Sequence, residues 1–160
     1  MNIGILGSSY IAECFINDSK NIDGVNIISS YSRSLDKAKE FGKKMNISKS
    51  FDNMDMFLND LDIDTIYISS PNFLHFEHSI KALNAGKHVL IEKPIVTTLK
   101  ELEELKRVAD KNNRFFMEAI IPIHTPQFNL LRETIKSLGD ITVASFSQLQ
   151  RSSRYDNYLN

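Results

Sequence analysis

The chain has 160 residues and is 42% hydrophobic, so it can bury one sizeable core. Its 19 Lys and Arg residues and 20 Asp and Glu residues leave a formal net charge of -1, without a basic stripe that could bind a nucleic acid. Cys14 is the one cysteine and has no partner for a disulfide or a metal site. No run of about eighteen apolar residues is present to cross a membrane. We therefore expect a cytoplasmic protein without a metal centre and without a nucleic-acid or membrane partner.

Short apolar runs alternate with longer segments of helical periodicity up to Ala119. This alternation is typical of a parallel sheet that is covered by helices on both faces. The predicted strands are Asn2–Leu6, Val25–Tyr31, Lys49–Phe51, Thr65–Ser69, His88–Ile91 and Arg114–Ala119. The pattern predicts an α/β fold of the Rossmann type, with a doubly wound parallel sheet.

Two of the intervening helices have marked ends. Phe76, Ile80 and Leu83 recur at helical spacing, and Gly86 follows them where that helix should stop. Leu99, Leu102, Leu105 and Val108 form the apolar face of the next helix. Thr98 with Glu101 three residues later predicts a capping box at its start.

The character of the chain changes after residue 120. Ile120–Pro126 carries two prolines, a helix is predicted at Gln127–Ser137, and a strand is predicted at Ile141–Leu149. The polar segment Gln150–Asn160 is expected to be loosely held. We therefore divide the chain into a first domain at residues 1–120, and a crossover with the first elements of an incomplete α+β domain at residues 121–160.

The first predicted strand runs directly into Gly7-Ser8-Ser9-Tyr10-Ile11-Ala12 and then into a helical stretch. This is the context of the dinucleotide fingerprint GxGxxG/A, whose first glycine permits a tight turn and whose third small residue lets helix and strand pack. Gly7 and Ala12 fit these two positions. Ser9 stands at the second, where a side chain crowds the phosphate but a hydroxyl could donate a hydrogen bond. The segment predicts a pyrophosphate site at the start of the helix.

The end of the second strand bears on the choice of cofactor. NAD-specific sites place an acidic residue about twenty residues beyond the turn, where it accepts from the ribose hydroxyls. Here the chain has Ser32, Arg33 and Ser34, which could pair with a 2′-phosphate through charge-assisted hydrogen bonds. NADP is therefore the preferred cofactor and NAD the alternative.

Three further clusters follow later strands, and ligands of open parallel sheets bind at the carboxyl ends of the strands. The clusters are Ser69-Ser70-Pro71-Asn72 with His75, then Glu92-Lys93-Pro94, then Glu118 with Ala119. Lys93 beside Glu92 could act as a general acid and base at a substrate hydroxyl, or the two could simply form an ion pair.

These motifs resemble the Gfo/Idh/MocA family, the group of glucose-fructose oxidoreductase, inositol dehydrogenase and their relatives. The shared runs are Ile63–Asn72, His75, Ala82–Leu90, Ile91–Pro94 and Phe116–Ala119, the last of which is similar to the sugar and dihydrodiol dehydrogenase branch. The resemblance extends from Asn2 to about Leu149.

The resemblance implies a two-domain enzyme, oligomeric at full length, that moves hydride between a nicotinamide cofactor and a hydroxyl-bearing carbon of a sugar, cyclitol or diol. Lys93 matches the lysine that contacts the substrate hydroxyl, and Arg33 matches an arginine of NADP-using relatives. Positions at the ribose and nicotinamide end are matched by Pro71, Asn72, His75, Glu92 and Glu118. Ser9 departs from the usual glycine, and the acidic and histidine motif of the second domain is absent. We therefore expect residues 1–160 alone to bind cofactor weakly and to turn nothing over.

Two other functions compete with this one. A dinucleotide-sensing regulatory protein of the same fold would bind cofactor without catalysis, because fold does not determine function. Glu92-Lys93-Pro94 favours the enzyme, whereas Ser9 favours the sensor. A methyltransferase-like domain would also begin with a strand and a glycine turn, but it would carry an acidic residue where Arg33 stands.

Overall fold

The computed structural model describes residues 1–147 and residue 149. Its sheet has six parallel strands in the order β3-β2-β1-β4-β5-β6. The strands are β1 (Asn2–Leu6), β2 (Asn26–Tyr31), β3 (Lys49–Phe51), β4 (Thr65–Ile68), β5 (His88–Ile91) and β6 (Phe116–Glu118). This order is that of doubly wound dinucleotide-binding sheets, so the predicted fold class is confirmed.

Helices connect the strands in turn. They are α1 (Tyr10–Ser19), α2 (Leu35–Met45), α3 (Met54–Leu58), α4 (His75–Asn84), α5 (Leu99–Asn112) and α6 (Pro126–Ser137). Single 3₁₀ turns lie at Asn72–Leu74 and Ile121–His124. The predicted capping box is confirmed, because the Glu101 amide donates to Thr98 Oγ1 at 3.2 Å and the Thr98 amide donates to Glu101 Oε2 at 3.0 Å. No helix of the described residues is long and apolar enough to cross a membrane.

The strand register brings the carboxyl ends of five strands into one row. Leu6 of β1 pairs with Tyr31 on one side and with Ile68 on the other. Ile68 pairs with Ile91, which pairs in turn with Glu118. Because parallel strands all end at the same edge, the residues that follow them share one side of the sheet, and the site is found there.

Alternating residues of the central strands supply two cores, one on each face of the sheet. Ile66 and Ile68 of β4 face α4 and α5 and belong to a buried cluster with Leu83 and Leu105. On the other face, Tyr67 packs in a cluster with Ile16 and other residues of α1 and α2. A strand buried on both faces reads as a continuous apolar run, which explains why Thr65–Ile68 was recognisable in the sequence.

The described chain separates into two compact units, the first of which is Met1–Ile120 and the second of which begins at Ile121. The strand predicted at Ile141–Leu149 is wrong for the residues that can be judged, because 141–147 and 149 form no strand. A strand requires a neighbour for its backbone hydrogen bonds, and the described part of the second unit contains no other strand. The apolar residues of this stretch are accordingly exposed, Val143 by 84% and Phe146 by 82%. The prediction for Gln150–Asn160 lies outside the described residues.

Candidate cofactor site

A cleft of about 620 Å³ opens at the carboxyl edge of β1, β2 and β4. Its lining comprises Leu6, Gly7, Ser8, Ser9, Tyr31, Ser32, Arg33, Met54, Ser69, Ser70, Pro71, Phe73, Leu74, His78 and Lys81. The apolar members lie beside hydroxyl groups and two cations. No Asp or Glu lines this cleft among the residues described. The site is therefore suited to a ligand that combines an apolar ring with negatively charged groups.

The turn after β1 forms the floor of the cleft. Gly7 has φ 114, a conformation that residues with a side chain rarely adopt. A Cβ at Gly7 would lie 2.7 Å from Ser69 Oγ, so the turn also requires glycine for space. Ser9 is the N-cap of α1, and its Oγ accepts from the Ala12 amide at 3.4 Å. The Ser9 hydroxyl proton remains free to donate, and the first amides of α1, which have no partner within the helix, could donate to an anion bound at this turn.

Arg33 and Ser32 line the second wall of the cleft, just beyond β2. The Ser32 amide donates to the Phe51 carbonyl of β3 at 3.1 Å, which holds the start of this loop against the sheet. Ser34 is the N-cap of α2 but its side chain makes no capping hydrogen bond. Arg33 is exposed and can reach solvent or ligand. Of the three residues predicted to bind the 2′-phosphate, Ser32 and Arg33 thus line one wall of the cleft, whereas Ser34 lies outside the lining.

Glu92 is buried and is held by groups of the protein itself. Its Oε1 accepts from the Tyr67 hydroxyl at 2.5 Å, and its Oε2 accepts from the Lys93 amide at 3.3 Å. Burial and the neighbouring carboxylate raise the pKa of Tyr67 far above its ordinary value, so the tyrosine stays protonated and donates. Within the described part of the chain no ion pair involves Lys93. The ion-pair interpretation of Glu92 and Lys93 is therefore not supported, and the exposed Lys93 ammonium is available for another partner.

Two contacts hold the loop that carries Lys93. Glu118 Oε1, at the end of β6, accepts from the Ile95 amide at 2.8 Å. His75 is 1% exposed, and its ring nitrogens lie 2.8 Å from the Pro94 carbonyl and 2.8 Å from the Ser70 carbonyl. A neutral imidazole can donate to one carbonyl and an imidazolium to both. His75 therefore connects the loop after β4 with the loop after β5, and neither of its nitrogens is free for a ligand.

The predicted site residues fall into two groups. Those in the cleft are Gly7, Ser8, Ser9, Ser32, Arg33, Ser69, Ser70 and Pro71. Those outside its lining are Tyr10, Ile11, Ser34, Asn72, His75, Glu92, Lys93 and Glu118. In the second group Tyr10 is 79% exposed, whereas Glu92, Lys93 and Glu118 follow β5 and β6 farther along the same edge. Lys93 therefore lies at the carboxyl edge of the sheet beyond the cleft that the turn and Arg33 line.

Several lining residues were not anticipated from the sequence. They are Met54 of α3, and Phe73, Leu74, His78 and Lys81, which lie on or next to α4. Leu74, His78 and Lys81 are spaced by four and three residues, so they share one helical face. That spacing directly after the strand-end segment Ser69–Asn72 was the signal that could have identified them.

His78 makes the stability of this wall depend on pH. Burial lowers the pKa of His78, whose Nδ1 lies 2.9 Å from Ser70 Oγ. The folded state therefore binds this proton less readily than the unfolded chain, so stability should fall as pH drops below about 6.5. We expect His78→Gln to flatten that dependence when urea unfolding is followed from pH 7.5 to pH 5. An unchanged pH slope in the variant would contradict this reading.

Comparison with known proteins identifies the family of the chain. Residues 1–120 match the family described as "Oxidoreductase family, NAD-binding Rossmann fold". A scyllo-inositol 2-dehydrogenase (NADP(+)) of Bacillus subtilis is 34% identical over 158 residues, which are 99% of this chain and 48% of that protein. A trans-1,2-dihydrobenzene-1,2-diol dehydrogenase of Xenopus tropicalis is 30% identical over 142 residues, 86% of this chain and 43% of that protein.

A solved structure of a 3-ketoreductase from Actinomadura kijaniata with NADP superimposes with a TM-score of 0.80 and 28% identity, covering 86% of this chain and 44% of that one. The chain thus spans about half the length of the relatives it matches. These relatives are named dehydrogenases or reductases, so the alternative of a sensing protein is not favoured, and the family match rules against a methyltransferase. The resemblance noted in the sequence is confirmed, and the chain belongs to the Gfo/Idh/MocA family of oxidoreductases, carrying its NAD(P)-binding Rossmann fold.

Proposed function

We propose that this chain is the cofactor-binding half of an NADP-preferring dehydrogenase that acts on a hydroxyl or carbonyl carbon of a cyclitol, sugar or diol. The observation that carries the proposal is the cleft itself, which combines the turn before α1 with Arg33 and lacks carboxylates among its described lining residues. A carboxylate at the end of β2 would repel a 2′-phosphate, whereas a guanidinium binds one through charge-assisted hydrogen bonds. The names of the inositol and diol dehydrogenase relatives support the substrate class.

The residues present fit a dinucleotide phosphate. Free amides at the start of α1 and the hydroxyl of Ser9 would hold the pyrophosphate. Ser32, Arg33 and Ser34 would hold the 2′-phosphate of the adenosine ribose. Pro71 and Asn72 begin the segment between β4 and α4 and would border the second ribose.

Lys93 is the proposed general acid and base. When bound, the nicotinamide would supply the site that gives or takes hydride at the substrate carbon. Lys93 would hold a hydrogen bond to the substrate oxygen and move the proton to or from it. Glu92, Tyr67, Glu118 and His75 would set the position of the Lys93 loop through the hydrogen bonds described above.

Residues 121–160 are proposed to begin the substrate-binding half, and residues 1–120 to be the dinucleotide-binding domain. We further propose that the whole enzyme works in the cytoplasm as a homo-oligomer. Substrate selection would then depend mainly on residues of the second domain, and this chain would determine the cofactor and supply Lys93.

Replacing Arg33 by alanine tests the preference for NADP. We expect Arg33→Ala to weaken NADPH binding about tenfold, because a charge-assisted contact to the phosphate is lost. The dissociation constant for NADH should change by less than about twofold. Lys39→Ala removes an exposed cation of α2 outside the cleft and should change neither. Quenching or enhancement of nicotinamide fluorescence gives both dissociation constants. Equal losses for the two cofactors would contradict the proposed role of Arg33.

Activity is tested by offering the whole enzyme NADP with cyclitols, sugars and vicinal diols and following NADPH formation by absorbance. At least one of these classes should be oxidised. A protein that binds NADPH but oxidises none of them, and reduces none of the corresponding ketones, would overturn the proposed reaction while leaving cofactor binding intact.

A further inference from the structure

Lys81 brings a second cation to the cofactor cleft. It lies near the end of α4, on the helical face that also carries Leu74 and His78, and all three line the cleft. None of the three belongs to the fingerprint turn or to the loop after β2. The side chains of this wall of the cleft are therefore supplied by α4 and the residue that precedes it.

Among the residues described, the charged side chains that line the cleft are all cations. Arg33 and Lys81 are its only Lys or Arg residues among those described, and no carboxylate of the described chain lines it. Burial lowers the pKa of His78, so this third basic residue is neutral at neutral pH. The hydrogen bond that the Lys81 ammonium donates to the Glu77 carboxylate raises the pKa of Lys81, so the ammonium stays charged.

The two cations approach from opposite sides of β1. Arg33 follows β2, whereas α4 follows β4, and the sheet order places β2 and β4 on the two flanks of β1. Tyr31, at the end of β2, lines the cleft together with Lys81 and with Arg33 of the loop that follows β2. A phosphate at this mouth of the cleft could accept from both side chains.

Glu77 and Lys81 form an exposed ion pair on α4. Lys81 Nζ lies 2.6 Å from Glu77 Oε1, and the two side chains are 49% and 55% exposed. An exposed ion pair of this kind contributes little stability, so a phosphate dianion can replace the carboxylate as the partner of the ammonium.

We propose that Lys81 is a specificity-determining residue that binds the 2′-phosphate of the adenosine ribose together with Arg33. This inference rests on the proposed NADP-binding function and assigns a second residue to it. NADP is then distinguished from NAD by two cations on separate elements, Arg33 after β2 and Lys81 on α4.

The test uses adenosine 2′,5′-bisphosphate and adenosine 5′-monophosphate, which differ in the 2′-phosphate alone, titrated calorimetrically into the 160-residue chain. Lys81→Met should lower the affinity for the bisphosphate about fivefold and the affinity for the monophosphate by less than about twofold. Lys81→Arg should retain most of the affinity for the bisphosphate. Arg107→Met is the matched control, because it also removes the cation of an exposed helical pair, with Glu104 on α5, outside the cleft.

The outcomes separate this inference from the function on which it rests. If the wild-type chain prefers the bisphosphate and Lys81→Met leaves that preference unchanged, the role of Lys81 is overturned and the NADP site stands. If Lys81→Met and Arg107→Met weaken the bisphosphate equally, the effect is one of net charge and the role of Lys81 is again overturned. If the wild-type chain shows no preference for the bisphosphate, the proposed NADP preference itself fails.

Discussion

Lys93→Ala is expected to lower kcat of the whole enzyme about 10²- to 10⁴-fold, the usual contribution of a positioned general acid or base. NADPH affinity should change by less than about twofold, because Lys93 lies outside the lining of the cleft. The loop should keep its shape, since its contacts are made by Glu118 to the Ile95 amide and by His75 to the Pro94 carbonyl. Steady-state kinetics and cofactor fluorescence on the same preparation measure both quantities.

Lys100→Ala serves as the control for this experiment, because Lys100 is an exposed lysine of α5 a few residues farther along the chain. It should leave kcat unchanged. A Lys93→Ala enzyme with normal kcat, or one that loses cofactor affinity as severely as turnover, would show that Lys93 is not the acid and base.

Gly7→Ala is expected to cost about 3 kcal/mol of unfolding free energy, from two sources that add. The backbone at Gly7 has φ 114, and a Cβ would meet Ser69 Oγ at 2.7 Å and the Ser69 backbone carbonyl at 3.0 Å. Ser69 cannot yield easily, because its amide donates to the Leu6 carbonyl at 2.9 Å and holds β4 against β1. Urea unfolding measures the loss, and NADPH titration should show at least a tenfold weaker complex if the turn is displaced by about 1 Å.

Gly24→Ala separates the two sources. Gly24 has φ 78, but nothing lies within 4 Å of a Cβ built there. Its substitution should therefore cost only the backbone strain, about 1 kcal/mol, and should leave NADPH binding unchanged. Equal destabilisation by the two substitutions would mean that the contact with Ser69 is not the cause at Gly7.

Strand positions were predictable because buried parallel strands leave apolar runs in the sequence. All six runs before residue 120 contain a strand, with ends that differ by up to two residues, as Arg114–Ala119 contracts to Phe116–Glu118. The strand prediction at Ile141–Leu149 was wrong for the same reason. An apolar run predicts a strand whether or not a neighbouring strand exists to pair with it. The amphipathic α2 and the short α3 were not predicted from the sequence.

The edge of the sheet at which the cleft opens was predictable, but the residues of the cleft walls were not. Knowing that ligands meet the carboxyl ends of parallel strands was enough to select Gly7, Arg33, Ser69 and Lys93. This rule could not distinguish the strand-end residues whose side chains face a ligand from those whose side chains bind other groups of the chain. His75 and Glu92 were selected as cofactor residues, and both direct their polar atoms to groups of the chain itself.

The sequence by itself determined the fold class, the glycine turn, the cation after β2 and the family, because each depends on residues that are neighbours in the chain. Tertiary structure alone decided the rest: that Tyr67 holds Glu92 across 25 positions, that His75 joins two loops, and that Lys81 shares a cleft with Arg33. These contacts join residues distant in sequence, and only the strand order and register place them within hydrogen-bonding or electrostatic reach of one another.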